Sequence, residues 1–339
     1  MAKKSINLAL QGGGSHGAFT WGVLDYLMED GRVNVQGISG TSAGAMNAVV
    51  FAQGFIDGGA DGAREALELF WRKVSNLSMF SPLKRSPLSV LTGNWDMSGT
   101  PSYVMMDLLS RVVSPYDTNP FKFNPLRELV KSTIDFEKIR ASKDLELFIA
   151  ATNVQSGKVK VFERKELTAD MILASACLPS LYQAVEVDGV PYWDGGFSGN
   201  PPLFPLFQTT ESKDIIIVQV NPIERNKPPK SAQDIQNRVN EIAFNSSLLS
   251  ELRNIEFVQR LLDENKLDRD HYAYILVHRI EATEQINPLT ASSKMNSEWS
   301  FLTHLRDIGR ESAKNFLDAH YDNIGIESSL DLEREIHWS

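Results

Sequence analysis

Three short runs carry the side chains and backbone able to do chemistry. Gly40-Thr41-Ser42-Ala43-Gly44 sets a serine between two glycines. A serine hydroxyl attacks only when a base takes its proton. A sharp strand-to-helix turn exposes such an Oγ, and flanking glycines permit the tight backbone. The following helix then aims its N-terminal dipole at a forming oxyanion. The second run is Gly12-Gly13-Gly14-Ser15-His16-Gly17. Its glycines present backbone amides with no Cβ in the way, which suits them to stabilise the carbonyl oxygen of an acyl transfer. Losing one such donor typically costs roughly 2.7–4 kcal/mol. Gly13 and Gly14 are the expected donors of an oxyanion hole, with Gly12 setting its turn. The third run, Asp194-Gly195-Gly196, reads by itself as an ordinary turn.

The glycine run also matches G-x-G-x-x-G between a strand and a helix, the context of a dinucleotide site. That reading requires an acidic residue closing the second strand, and none lies between Val33 and Gly44. The base for Ser42 has two sources. Among the six histidines (His16, His271, His278, His304, His320 and His337), His271 or His278 fits the chain order serine–acid–histidine. Against them, Ser42 follows a single βα unit, whereas α/β-hydrolases with a triad place several strands before the nucleophile. A carboxylate is the other source.

The elements that must hold these residues are legible at the start of the chain. Ile6–Leu10 and Val33–Ser39 read as strands, and Ala18–Met28 and Ala43–Gln53 as helices. Their alternation predicts a parallel sheet with helices on its faces. Further on, Leu145–Ala151, Val159–Phe162, Ile215–Val220 and Tyr272–Val277 read as strands, and Tyr192–Gly196 as a turn. Ala63–Val74 (as a surface helix), Ala169–Ala176 and Glu298–Leu317 read as helices. So does Gln233–Leu262, with Ile235, Val239, Ile242, Leu249, Leu252, Leu261 and Leu262 on its buried side. Residues 78–125 hold six of the fifteen prolines together with Phe80, Trp95, Tyr103, Met105, Met106, Phe121 and Phe123. Such a segment is expected to form an irregular apolar lid or acyl pocket.

A formal net charge of −9 offers no basic stripe for nucleic acid and no bulk attraction to an anionic membrane. Contact with lipid must therefore use a local apolar patch. The single cysteine, Cys177, reads as a small buried residue. No group of residues suggests a metal or cofactor. The apolar stretch after Lys4 is too short for a signal peptide, and no run is long enough to span a membrane. A cytoplasmic protein, peripheral to a membrane, is expected, although export by a signal-less route would leave the same sequence.

Taken together, the three runs resemble the patatin-like phospholipase family, particularly its bacterial members. Ala151-Thr152-Asn153 with Ser156-Gly157, Ala174-Ser175-Ala176 with Pro179, and Asn200-Pro201 extend the resemblance over residues 5 to 220. It implies a three-layer α/β/α sandwich with a mainly parallel central sheet. It also implies a Ser42–Asp194 dyad without histidine, an oxyanion hole at Gly12, Gly13 and Gly14, and support from His16, Gly17, Gly40, Gly44, Gly195 and Gly196. The implied activity is hydrolysis of phospholipid, lysophospholipid or neutral acylglycerol esters, without cofactor, at a membrane or lipid-granule surface. An acyltransferase on a similar scaffold is the alternative, but no arginine is placed near Ser42 to hold a carboxylated acyl group. The expected organisation is one hydrolase domain over 1–339, with a lid insertion at 78–125 and a helical C-terminal extension at 230–339. Two positions depart from the family. His16 stands where Arg or Lys is usual, leaving the loop without a fixed charge or making it sensitive to pH, and Asn153 stands where Asp is frequent.

Overall fold

The computed structural model describes residues 3–78, 83–225 and 228–336, so Phe80 and His337 lie outside the described residues. Strand β1 (Lys4–Leu10) runs to the glycine loop, and α1 (Gly17–Asp30) returns along it. Strand β2 (Val33–Thr41) then leads directly into α2 (Ala43–Ser78). Ile6, Leu8, Ala9 and Leu10 are all fully buried, the continuous apolar run of a strand covered on both faces. Strands β3 (Glu146–Asn153), β4 (Val159–Glu163), β5 (Val185–Val187), β6 (Val190–Asp194), β7 (Asp214–Val218) and β8 (Leu276–Ile280) complete the sheet. Its order is β5-β6-β3-β2-β1-β7-β8, with β4 pairing β3 off that path. The pairs β1–β2, β2–β3, β1–β7 and β7–β8 are parallel, and those among β3, β4, β5 and β6 are antiparallel.

Apolar residues alternate between the two faces. Leu8, Leu10 and Ile38 pack with α1, α2 and the Trp299–His320 helix. Ala9, Phe148, Ile215 and Ile217 pack with Leu248, Leu252 and Ile255 of the Ala232–Asp263 helix. This is the three-layer α/β/α sandwich with a mainly parallel centre that the sequence leads one to expect.

Several local expectations change. Tyr192 and Trp193 belong to β6, and the turn begins only after Asp194. The last strand starts at Leu276, later than the apolar pattern places it. The second half of α2, beyond a break at Gly58–Gly59, turns Ala63, Leu67, Phe70 and Trp71 into the core instead of lying on the surface. On the Ala232–Asp263 helix, Ile235, Val239 and Ile242 are about half exposed, because only the part from Leu248 onward lies against the sheet. Residues 83–125 are more regular than their prolines suggest. Pro101 and Pro115 sit in the first turns of the helices Pro101–Val112 and Pro115–Thr118, where a missing N–H is not missed.

Candidate active site

The site forms where β1 and β2 end side by side, Leu10 being level with Gly40. Thr41 closes β2 and Ala43 opens α2, leaving Ser42 alone in the turn. Its φ of 54° lies in the left-handed region that a non-glycine residue rarely adopts. Such strain persists only where the surroundings over-determine it. The Ser42 amide donates to Ser175 Oγ at 2.9 Å, and its carbonyl accepts from the Met46 amide at 3.0 Å. Gly44 is required by proximity, since a Cβ there would stand 2.1 Å from the Leu10 carbonyl oxygen. Gly17 and Gly40 adjoin the same junction, against Ala43 and Gly44 respectively.

The glycine loop follows β1 at once. Gly14 has a φ of +59°, and a Cβ on it would lie 2.5 Å from the Lys294 carbonyl oxygen. The Gly12 amide already donates to Asn200 Oδ1 at 2.7 Å, so it is not free to face an oxyanion. No described hydrogen bond takes the Gly13 or Gly14 amide. Buried amide side chains fasten the loop. Gln11 Oε1 accepts from the Val220 and Asn221 amides at 3.0 Å each, and Asn221 Nδ2 donates to the Gly12 carbonyl at 2.6 Å. Gln11 Nε2 donates to Asn200 O and Asn245 Oδ1 at 3.2 Å.

Asp194 comes from the neighbouring edge, where Ala151 of β3 pairs with it. Its amide donates to the Cys177 carbonyl, and its own carbonyl accepts from Thr152 Oγ1, both at 2.8 Å. The Gly196 amide donates to its carboxylate at 2.8 Å, so Gly195-Gly196 is the turn that grips this carboxylate. The Ser42 hydroxyl faces this carboxylate closely enough to favour its ionised form. Burial pushes the Asp194 carboxyl up to about 6, against the opposing pull of the Gly196 amide, the Ser42 hydroxyl and the Lys294 charge. A carboxylate so placed is a stronger base than one in water. Cys177 is buried behind it, its thiol pushed up to about 11 by that burial, so it offers no reactive thiolate near neutral pH.

The histidines lie elsewhere or are neutral. His16 is buried, with Nε2 on Ser293 Oγ at 2.8 Å. Burial, then the Lys294 and Arg225 charges, hold it well below the usual imidazole range. It therefore adds neither a fixed charge nor a titration near neutral pH. His278 Nε2 bonds Asp214 Oδ1 at 3.0 Å and Nδ1 bonds Ser329 Oγ at 2.9 Å. Asp214 opens β7, whose C-terminal Val218 pairs with Leu10, so this chain of groups sits toward the far ends of the strands from Ser42. His271 is exposed and paired with Asp268. Asn153 accepts from the Gln155 and Ser156 amides at 2.9 and 3.0 Å, closing the β3–β4 hairpin. Among the described residues, no group of three or more His, Cys, Asp or Glu is arranged to hold a metal ion. No described helix is long and apolar enough to cross a membrane.

A serine at a β-strand–helix turn, beside a glycine loop at the C-terminal edge of a mainly parallel sheet, places this site where α/β folds bind their ligands. The family "Patatin-like phospholipase" matches residues 8–207, more than half of the chain. The chain belongs to this family of lipid hydrolases. No curated protein matches it. Among solved structures it is similar to VipD from Legionella pneumophila, at 15% identity and TM-score 0.47, over 94% of this chain and 68% of that one. It is also similar to the ExoU–SpcU complex from the type III secretion system of Pseudomonas aeruginosa, at 15% identity and TM-score 0.38. That alignment covers 95% of this chain and 52% of the other, so this chain spans about half its length.

Proposed function

We propose that the chain hydrolyses carboxylic esters of lipids through an acyl-enzyme on Ser42, with Asp194 as the base and the Gly13 and Gly14 amides as the oxyanion hole. The observation that carries this reading is a fully buried carboxylate, Asp194, acted on by the Ser42 hydroxyl, beside a glycine loop in which no described hydrogen bond takes the Gly13 or Gly14 amide. Ser42 Oγ attacks the ester carbonyl as Asp194 takes its proton, and the tetrahedral oxyanion lies on the loop amides. The intermediate collapses, breaking the bond to the leaving alcohol, which takes the proton back from Asp194. Water then attacks the acyl-Ser42 ester, passes its proton to Asp194, and releases the fatty acid and the serine.

Glycerophospholipids, lysophospholipids and neutral acylglycerols are the substrate class, met at a membrane or lipid-granule surface. Residues 83–125 supply the apolar cover of the site. One flank is tied beside the glycine loop, where the Met97 amide donates to Ser292 Oγ at 3.0 Å. The other is tied near Asp194, where Gln183 Nε2 donates to the Asn119 carbonyl at 2.9 Å. Between these ties the Pro101–Val112 helix turns Val104, Met105, Leu108 and Val112 to solvent, and Phe121 and Phe123 follow. The test is release of free fatty acid from a mixed lipid panel. Wild type should release it and Ser42→Ala should not; equal release by both would overturn the reading.

A further inference from the structure

One enclosed charge beside this site takes no part in the steps above. Lys294 lies in the short helical turn Ala291–Met295, far along the chain from the loops of the first two hundred residues. Two contacts clamp that turn to the glycine loop, Ser293 on His16 and the Lys294 carbonyl against Gly14, and Ser297 just beyond it bonds Ser15 at 3.2 Å. The Lys294 ammonium donates to Asn221 Oδ1 at 2.7 Å, and the same Asn221 side chain holds the Gly12 carbonyl.

Lys294 is half-buried, and an ammonium drawn out of water normally sits in a direct ion pair. Among the described residues Lys294 has none; Glu241 of the Ala232–Asp263 helix, whose charge acts on it, is paired with Arg225 and Arg238. The charged and titratable groups that act on it come from three elements. These are Glu241 from that helix, Arg225 from the loop after β7 and Asp194 at the end of β6, while His16 in the glycine loop is in turn held down by the lysine. Burial brings the lysine down to about 8, while Glu241 and Asp194 hold its proton on.

We propose that Lys294 is a positioning residue for the ester hydrolysis: through Asn221 it fixes the Gly12 turn of the oxyanion loop. Its charge also favours the ionised form of Asp194. The same positive field favours the negative charge that develops at Gly13 and Gly14. The proposal rests on the Ser42–Asp194 reading and deepens it, since it makes the C-terminal segment part of the catalytic centre.

The test is the pH dependence of kcat/KM on a short-chain, water-soluble ester, for wild type, Lys294→Met and Lys294→Arg. Wild type should show an acidic limb from Asp194 and an alkaline limb as Lys294 loses its proton. In Lys294→Met the acidic limb should move to higher pH, because removing a cation makes the carboxylate harder to ionise. Each unit of that movement lowers kcat/KM about tenfold below the limb. The alkaline limb should vanish, with kcat reduced more than KM is raised. Lys294→Arg should recover most of kcat and push the alkaline limb beyond the range of wild type. A Met variant whose activity falls at every pH with an unmoved acidic limb, and which Arg does not rescue, overturns the proposal. If Lys294→Met does not fold, a wild-type profile that stays flat to about pH 10 overturns it equally. Full activity in Ser42→Ala would instead sink the underlying dyad.

Discussion

Replacing Asp194 by asparagine should stop catalysis and stabilise the protein together. Asparagine keeps the shape and an acceptor for the Gly196 amide, and the backbone bonds to Cys177 and Thr152 do not involve the side chain. It cannot take the Ser42 proton, so kcat should fall by about 10²–10⁴-fold, the usual worth of a general base. The stability change follows from the same burial. The Asp194 carboxyl stands at about 6 in the folded chain against an ordinary 3.8, a rise of about two units. At 1.36 kcal/mol per unit, the ionised aspartate destabilises the fold by about 3 kcal/mol. The pH window follows from the direction of the shift. Below the unfolded value both states bind the proton and nothing is lost. Stability falls as pH rises from about 4 to about 6, and the deficit is constant above that. Asp194→Asn should therefore unfold several degrees higher than wild type at pH 7.5 and at nearly the same temperature at pH 4. Calorimetry at the two pH values, beside esterase assays, reads both effects. An active asparagine variant would refute the base assignment, and an inactive one with no pH-dependent gain in Tm would refute the buried, ionised carboxylate.

His271→Ala and His278→Ala should retain most of the esterase activity, measured as kcat/KM after checking that each variant is folded; a loss matching that of Asp194→Asn would reinstate a histidine triad. Gly13→Ala places a Cβ 2.8 Å from Val220 Cγ2. The loop must then shift, and kcat should drop by about 10²–10³-fold with little change in KM, as for loss of an oxyanion donor. Amide hydrogen exchange over residues 101–123 should slow when detergent micelles are added; exchange that is slow in buffer and unchanged by lipid would make this segment ordinary core.

How much of this was legible in the sequence differs from residue to residue. The turn at Ser42 was, because a β-branched strand, flanking glycines and a helix of small residues all specify one local geometry. The turn after Asp194 carries no such mark, since D-G-G is common; its place was suggested only by likeness to a family. Asn200 was marked only by likeness to a family, and its amide network with Gln11, Asn221 and Asn245 was invisible, because uncharged polar residues show their burial only once distant segments meet. Asn221 alone offered a hint: it stands just past the C-terminal end of a central strand, where open α/β sheets bind ligands. Lys294 gave none, since its enclosure depends on a serine-rich turn docking on a loop nearly three hundred residues earlier. The stripe Ile235, Val239 and Ile242 misled for a physical reason. Helical periodicity shows that a face is apolar and leaves open whether the sheet extends far enough to cover it.

Covalent labelling of the folded protein with a fluorophosphonate, followed by mapping of the adduct, tests the central claim most directly. The reagent phosphonylates only a serine activated by its own site. One adduct is expected, on the peptide carrying Ser42, absent from Ser42→Ala and greatly slowed in Asp194→Asn. An adduct on any other serine, Ser329 beside His278 included, or undiminished labelling of Ser42→Ala, would contradict it.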